Sequence, residues 1–78
     1  MKLMALNLPR DFDENALARL FKTYGNIKGC TLVMDEKTGK SKRFGFVEMA
    51  LEHEGEAAIK ELHGKKIGQD KIRVKKAK

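Results

Sequence analysis

The sequence predicts an α+β fold: a four-stranded antiparallel sheet with both of two helices on one face. Three observations carry this prediction. Lys2–Asn7 is a short apolar run ended by Pro9, and Ile27–Met34, Arg43–Met49 and Lys71–Lys76 alternate in side-chain character or are rich in β-branched and aromatic residues, as strands are. Asp13–Tyr24 and Glu52–His63 repeat their apolar residues at helical spacing, each with one buried stripe. The resulting order is strand-helix-strand-strand-helix-strand, in which the first and third strands lie side by side in the centre of the sheet.

In the first strand Leu3 and Ala5 share one face, Met4 and Leu6 share the other, and Pro9 ends the run. Asp13 is the expected N-cap of the first helix, with Phe12 and Leu17 at the staple positions. Leu17, Leu20, Phe21 and Tyr24 form its core stripe, and Gly25 is expected as a left-handed C-cap. In the second strand Cys30 and Leu32 are expected inward, Thr31 and Val33 outward. Asp35–Ser41 is polar, contains Gly39 and predicts a hairpin loop.

The third strand puts Gly45, Val47 and Met49 on one face and Phe44 and Phe46 on the other. The second helix gathers Gly55, Ala58, Ile59 and Leu62 on one face and stops at Gly64. A mid-helix glycine costs roughly 1 kcal/mol against alanine, so Gly55 implies close packing against a strand. The last strand turns Ile72 and Val74 inward and Lys71, Arg73 and Lys75 outward. The whole is a ferredoxin-like βαββαβ sandwich, one domain spanning residues 1–78.

Composition narrows the function classes. At 41% hydrophobic, the chain suits a globular domain with a thin core. A single cysteine, Cys30, precludes an internal disulfide and suits a reducing compartment, the cytoplasm. No apolar run approaches the ~20 residues of a membrane span. Leu3–Leu8 is too short for a signal peptide before Pro9 and Arg10 interrupt it. His53 and His63 lack partner ligands for a metal. No histidine is set with a nucleophile and an orienting acid, and no Gly-rich phosphate loop occurs. The expected protein is therefore not an enzyme and needs no cofactor.

The net charge is +6, and its distribution is uneven. Lys37, Lys40, Lys42 and Arg43 crowd the hairpin, while Lys65 to Lys78 holds seven cations against one acid, Asp70. Glu52, Glu54, Glu56 and Glu61 crowd the second helix. Segregation of this kind suits a polyanionic partner, and it equally suits a solvated surface. Phe44 and Phe46 tip the balance. With both helices on the opposite face, the two rings lie on an open surface beside Lys42 and Arg43. Flat rings beside cations stack unpaired bases and hold their phosphates.

Lys42–Met49 closely matches the octapeptide of the RNA recognition motif, at Lys42, Phe44, Gly45, Phe46 and Val47. Leu3–Leu8 is similar to that family's hexapeptide, and Leu20–Ile27, Ala58–Gly64 and Ile72–Lys78 resemble its helix endings and tail. The chain thus resembles the family over nearly its whole length, in a form similar to stand-alone bacterial members. The resemblance implies roles: Phe44 at a sugar or between two bases, Phe46 stacking a base, Lys42 on a phosphate. It also implies that Asn7 fixes the end of the first strand and that Lys75 to Lys78 contact bases or backbone. Three residues depart from the pattern. Met4 replaces a third aromatic, Arg43 a glycine, and Met49 an aromatic that the family buries.

The expected partner is single-stranded RNA, with single-stranded DNA not distinguished by sequence. Phe44 and Phe46 stack two bases, with Met4 in thioether contact, and Lys42, Arg43, Arg73, Lys75 and Lys76 meet the strand's phosphates or bases. Lys2 and Lys71 add to the field. Such a face has room for roughly two to four nucleotides, with micromolar affinity. The alternative is a protein-interaction or homodimerisation module on the same face, which Met4, Leu6 and Val33 favour; otherwise the chain is expected to be a monomer.

Overall fold

A computed structural model describes residues 1–77, the side chain of Ser41 excepted; Lys78 and the contacts expected of it lie outside the described residues. The elements are β1 (Lys2–Leu6), α1 (Glu14–Lys22), β2 (Ile27–Met34), β3 (Ser41–Met49), α2 (Glu52–Leu62), β4 (Lys66–Ile67), β5 (Asp70–Lys71) and β6 (Arg73–Lys76). β1, β2, β3 and β6 form one antiparallel sheet in the order β2-β3-β1-β6, so the first and third strands are central as expected. β4 and β5 form a small separate hairpin. That hairpin is absent from the sequence expectation, which ran the last strand from Lys71; the sheet strand begins at Arg73. Two-residue strands are too short to show a period. The surviving signal is Gly68, at φ 63°, opening a two-residue turn between Ile67 and Asp70.

The inward faces alternate as read. Leu3 and Ala5 of β1, Leu32 of β2, Val47 and Met49 of β3 and Val74 of β6 are buried. Above them lie Leu17 and Phe21 of α1 and Ala58 and Leu62 of α2, with Leu8 and Ile72 closing the ends. Leu20, Tyr24, Ile59 and Cys30 pack against this core only partly buried.

Asp13 caps α1, its carboxylate accepting the Ala16 N–H at 2.7 Å. The other end differs from expectation. The helix closes with Thr23 as C-cap, and Tyr24 N–H and Gly25 N–H donate to Phe21 O and Lys22 O in a tightened last turn. Gly25, at φ 159°, does not take the left-handed conformation. Its missing side chain serves packing: the Glu54 carboxylate fills the space a Cβ would need. Glu54 also reaches back to accept the Leu51 N–H at 3.3 Å, closing the first turn of α2 where no polar cap stands. α2 ends at Leu62, one residue short of expectation, with Gly64 at φ 82° beyond it. Gly55 is buried, but it faces the flexible Met1 side chain rather than strand backbone.

Gly45 is the tight contact. It points inward from β3, where a Cβ would come within 2.5 Å of the Thr31 carbonyl oxygen and 2.9 Å of Leu17 Cδ2. Gly29, on the neighbouring strand, has open space. Gly45→Ala is therefore expected to destabilise the fold by about 1–3 kcal/mol in urea unfolding, through overpacking against backbone. Gly29→Ala, unstrained and restricting the unfolded chain, should be neutral or stabilising by up to about 1 kcal/mol.

Candidate nucleic-acid interface

The strand register assembles the open face row by row. Met4 stands between Phe46 on β3 and Lys75 on β6, with Thr31 of β2 on the far side of Phe46. One row beyond, Leu6 stands opposite Arg73; one row before, Lys2 stands opposite Glu48. Phe44 is the next outward residue of β3. Phe44, Phe46, Met4, Leu6 and Val33 are all half-buried, whereas Lys2, Lys42, Arg73 and Lys75 are exposed. Two rings and a thioether thus form an apolar strip, with several cations and one acid, Glu48, around it.

The rings hold each other. Their centroids are 6.3 Å apart at 84°, an edge-to-face pair of the kind worth about 0.5–1.5 kcal/mol beyond burial. The Lys2 ammonium lies over the Phe46 ring, 5.1 Å from its centroid. Phe46 is flanked by a ring edge and a cation, a pairing no period in the sequence announces.

Arg43 departs most from expectation. It sits at φ 67°, the left-handed conformation that costs a non-glycine residue about 1–2 kcal/mol. It falls within a register irregularity between β2 and β3, at Leu32/Met34. A glycine would adopt that conformation at no steric cost. Here the guanidinium compensates. Its Nε donates to the Leu8 carbonyl at 2.9 Å, and one Nη2 donates to Asn7 Oδ1 at 3.3 Å and to Asp70 Oδ1 at 2.7 Å. Asn7 is also left-handed, at φ 59°, and its Nδ2 donates to the Lys71 carbonyl at 2.8 Å. The end of β1, the start of β3 and the β4–β5 hairpin are tied at one knot. Asn7, to which the resemblance assigns the end of the first strand, is bonded there to Lys71 and Arg43. The Arg43 side chain, expected at a phosphate, is turned toward this knot.

The remaining cations divide. Arg73 and Lys75 point to the open face, but Lys76 stands opposite the inward Leu3 and so lies on the other side of β6, exposed at the strand's end. Cys30 pairs in register with the inward Val47. Its thiol donates to the Glu14 carbonyl at 3.6 Å, while Glu14 Oε2 accepts the Leu32 N–H at 3.2 Å. Burial, and secondarily the Glu14 charge, push the thiol above its ordinary pKa of 9.0. Among the described residues no cluster of His, Cys, Asp or Glu could hold a metal ion, and no helix is long and apolar enough to cross a membrane.

Known proteins share this fold. The RNA recognition motif family matches residues 5–73 of the chain. The chain is 42% identical over 74 residues to the 29 kDa ribonucleoprotein B, chloroplastic, of Nicotiana sylvestris, covering 95% of the chain but 25% of that protein. It spans about a quarter of the length of the chloroplast ribonucleoproteins it matches. It is 40% identical over 79 residues to RbpB of Nostoc sp., covering 100% of the chain and 76% of that protein. The crystal structure of the RNA binding protein PG1 superposes with a TM-score of 0.94 at 35% identity, covering 99% of this chain and 93% of that one. The Sxl-lethal protein in its RNA complex gives 0.93 at 32% identity, covering 99% and 46%.

Two outcomes are expected from the geometry above. In a double-mutant cycle of Arg43→Ala and Asp70→Ala, the coupling should be only about 0.2–1 kcal/mol and should shrink with added salt, because the paired side chains are 31% and 33% exposed. Cys30 should react with a thiol reagent more slowly than an unstructured cysteine at neutral pH, its rate midpoint lying above 9.0. The fold favours the protonated thiol, so its share of stability is complete below pH 9.0 and declines as pH rises beyond it.

Proposed function

The chain belongs to the RNA recognition motif family, and from that premise we propose that it binds single-stranded RNA across the open face of its sheet. One observation carries the reading: Phe44 and Phe46 stand side by side, half-exposed, on the face opposite the helices and within a largely cationic rim. Phe46 stacks one base, and Phe44 meets a sugar or the next base. Met4, between Phe46 and Lys75, offers a polarisable contact where a third ring would stand. Lys42 takes a phosphate at one end of β3. Arg73 and Lys75 take the backbone along β6, and Lys76 adds charge from the rim.

The knot at Arg43 changes that residue's part. Arg43 braces the end of β1 through Leu8 and Asn7, and its charge reaches the strand as field more than as contact. We read the protein as a monomeric binder and not an enzyme. Its setting, the cytoplasm, is inferred from its single free cysteine alone. An RNA strand outranks a protein partner on this face because the apolar strip is narrow and its rim is largely cationic.

Phe44→Ala and Phe46→Ala should each weaken binding of short single-stranded RNA by about 1–3 kcal/mol. The logarithm of the affinity should fall with the logarithm of salt at a slope of about −0.7 per phosphate held. A folded double variant that binds RNA unchanged defeats the proposal. A salt-insensitive dimer that excludes RNA, seen by light scattering, would establish the protein-binding face instead. Competition between matched RNA and DNA oligomers tests the choice of sugar.

A further inference from the structure

Phe12, Ala16, Leu20 and Tyr24 recur at every fourth position, the spacing that puts side chains on one face of a helix. Ala16 and Leu20 lie on α1, with Phe12 just before it and Tyr24 just after. This stripe is not the one that α1 gives to the core, which is Leu17 and Phe21. All four of its residues are half-buried, and so is Ile67 of β4. Together they line a groove of about 390 Å³ between α1 and the β4–β5 hairpin, on the helical side of the molecule.

The polar heads in its walls are Arg19, Thr23, the Tyr24 hydroxyl and Lys65. Arg19, Thr23 and Lys65 are exposed, and among the described residues none of these four side chains makes a hydrogen bond or an ion pair. No carboxylate lines the groove. The acids around it are engaged elsewhere: Asp13 caps α1, Glu14 holds the Leu32 N–H, Glu54 is folded onto Gly25, and Asp70 is paired with Arg43. Two cations without a counter-charge thus flank a strip of apolar side chains.

Such a groove suits a protein segment with apolar side chains on one side and carboxylates beside them. A second copy of the same groove would set like charges against each other. A nucleic-acid strand calls for a row of cations along its backbone, and here the floor is apolar with Arg19 and Lys65 only at the walls. α1 is nine residues long, roughly 14 Å, which gives room for about two turns of a helix laid along it. We propose that this groove docks an acidic amphipathic helix of a partner protein. The helix places its apolar side chains against Phe12, Leu20, Tyr24 and Ile67 and its carboxylates on Arg19 and Lys65. The docking stands apart from the RNA-binding reading. Where that reading holds, RNA and partner occupy opposite faces at once, and the domain tethers one to the other.

The probe is a synthetic peptide of about 15 residues, with leucine along one helical face and glutamate along the other. Titrated into the isotope-labelled chain, it should shift the backbone amides of Ala16, Arg19, Leu20, Thr23, Lys65 and Ile67, with a Kd below about 1 mM. The same peptide with lysine in place of glutamate should leave them unmoved. The variant Arg19→Gln, Lys65→Gln alters only exposed side chains. It should bind the acidic peptide about fivefold more weakly, the factor that two exposed ion pairs give. Its affinity for short single-stranded RNA, read by fluorescence anisotropy, should stay within about twofold of wild type, because screening separates the two faces. Lys22→Gln, on the same helix but outside the groove, should leave peptide affinity nearly unchanged. Equal binding of the lysine peptide, shifts confined to the sheet face, or no shift at about 1 mM peptide overturns the docking site and leaves the RNA reading to the phenylalanine variants. RNA that moves the groove amides would assign the groove to nucleic acid and overturn it too. A dimer seen by light scattering and abolished by the double variant would assign it to a second copy, with the same result.

Discussion

The close approach of α1 to β3 at Gly45 sets the position of everything on the outer face. A side chain there would press on the Thr31 carbonyl and on Leu17 at once, so the helix can seat on the sheet only over bare backbone. Gly45 lies between Phe44 and Phe46, and in a strand the two sides are locked together. Whatever lowers the helix onto the inner face turns both rings outward. The uncovered aromatics are thus the other side of a packing solution, and any binding they support is built on that contact.

Much of this was legible because period-two alternation is unambiguous when one face is buried. Leu3, Ala5, Val47, Met49 and Val74 read as inward, and all are buried. The candidate face followed from the same alternation, with Met4, Leu6, Phe44 and Phe46 outward. Other features left weaker traces. The β4–β5 hairpin is too short for a period, and only Gly68 marks it. Gly25 invited a C-cap reading, yet what it accommodates is Glu54, a contact between residues far apart in sequence. The inward side of Lys76 depended on the register of β6 against β1, which no single strand encodes. Charge alone could not separate cations that face the sheet from one that is bonded internally.

Arg43 shows how a local rule can be broken and the conformation kept. The bulge calls for a residue free to adopt positive φ, and glycine would supply that at no steric cost. The arginine brings a Cβ into an unfavourable region, but its side chain reaches the Leu8 carbonyl, Asn7 and Asp70. Three separate pieces of chain meet in one guanidinium. The strain and the bonds belong to the same residue, so the conformation is held by its own consequence.

The Lys2 ammonium over Phe46 bears on what kind of molecule the ring can accept. A base that takes the face Lys2 covers must move the ammonium aside, and a bare nucleoside offers that cation no new partner. A nucleotide offers its phosphate, and the lysine stem is long and exposed enough to follow it. The same displacement is a loss for one ligand and an exchange for the other. On the proposed reading, an uncharged ring would thereby discriminate by charge, favouring a polymer of phosphodiesters over the heterocycles it contains.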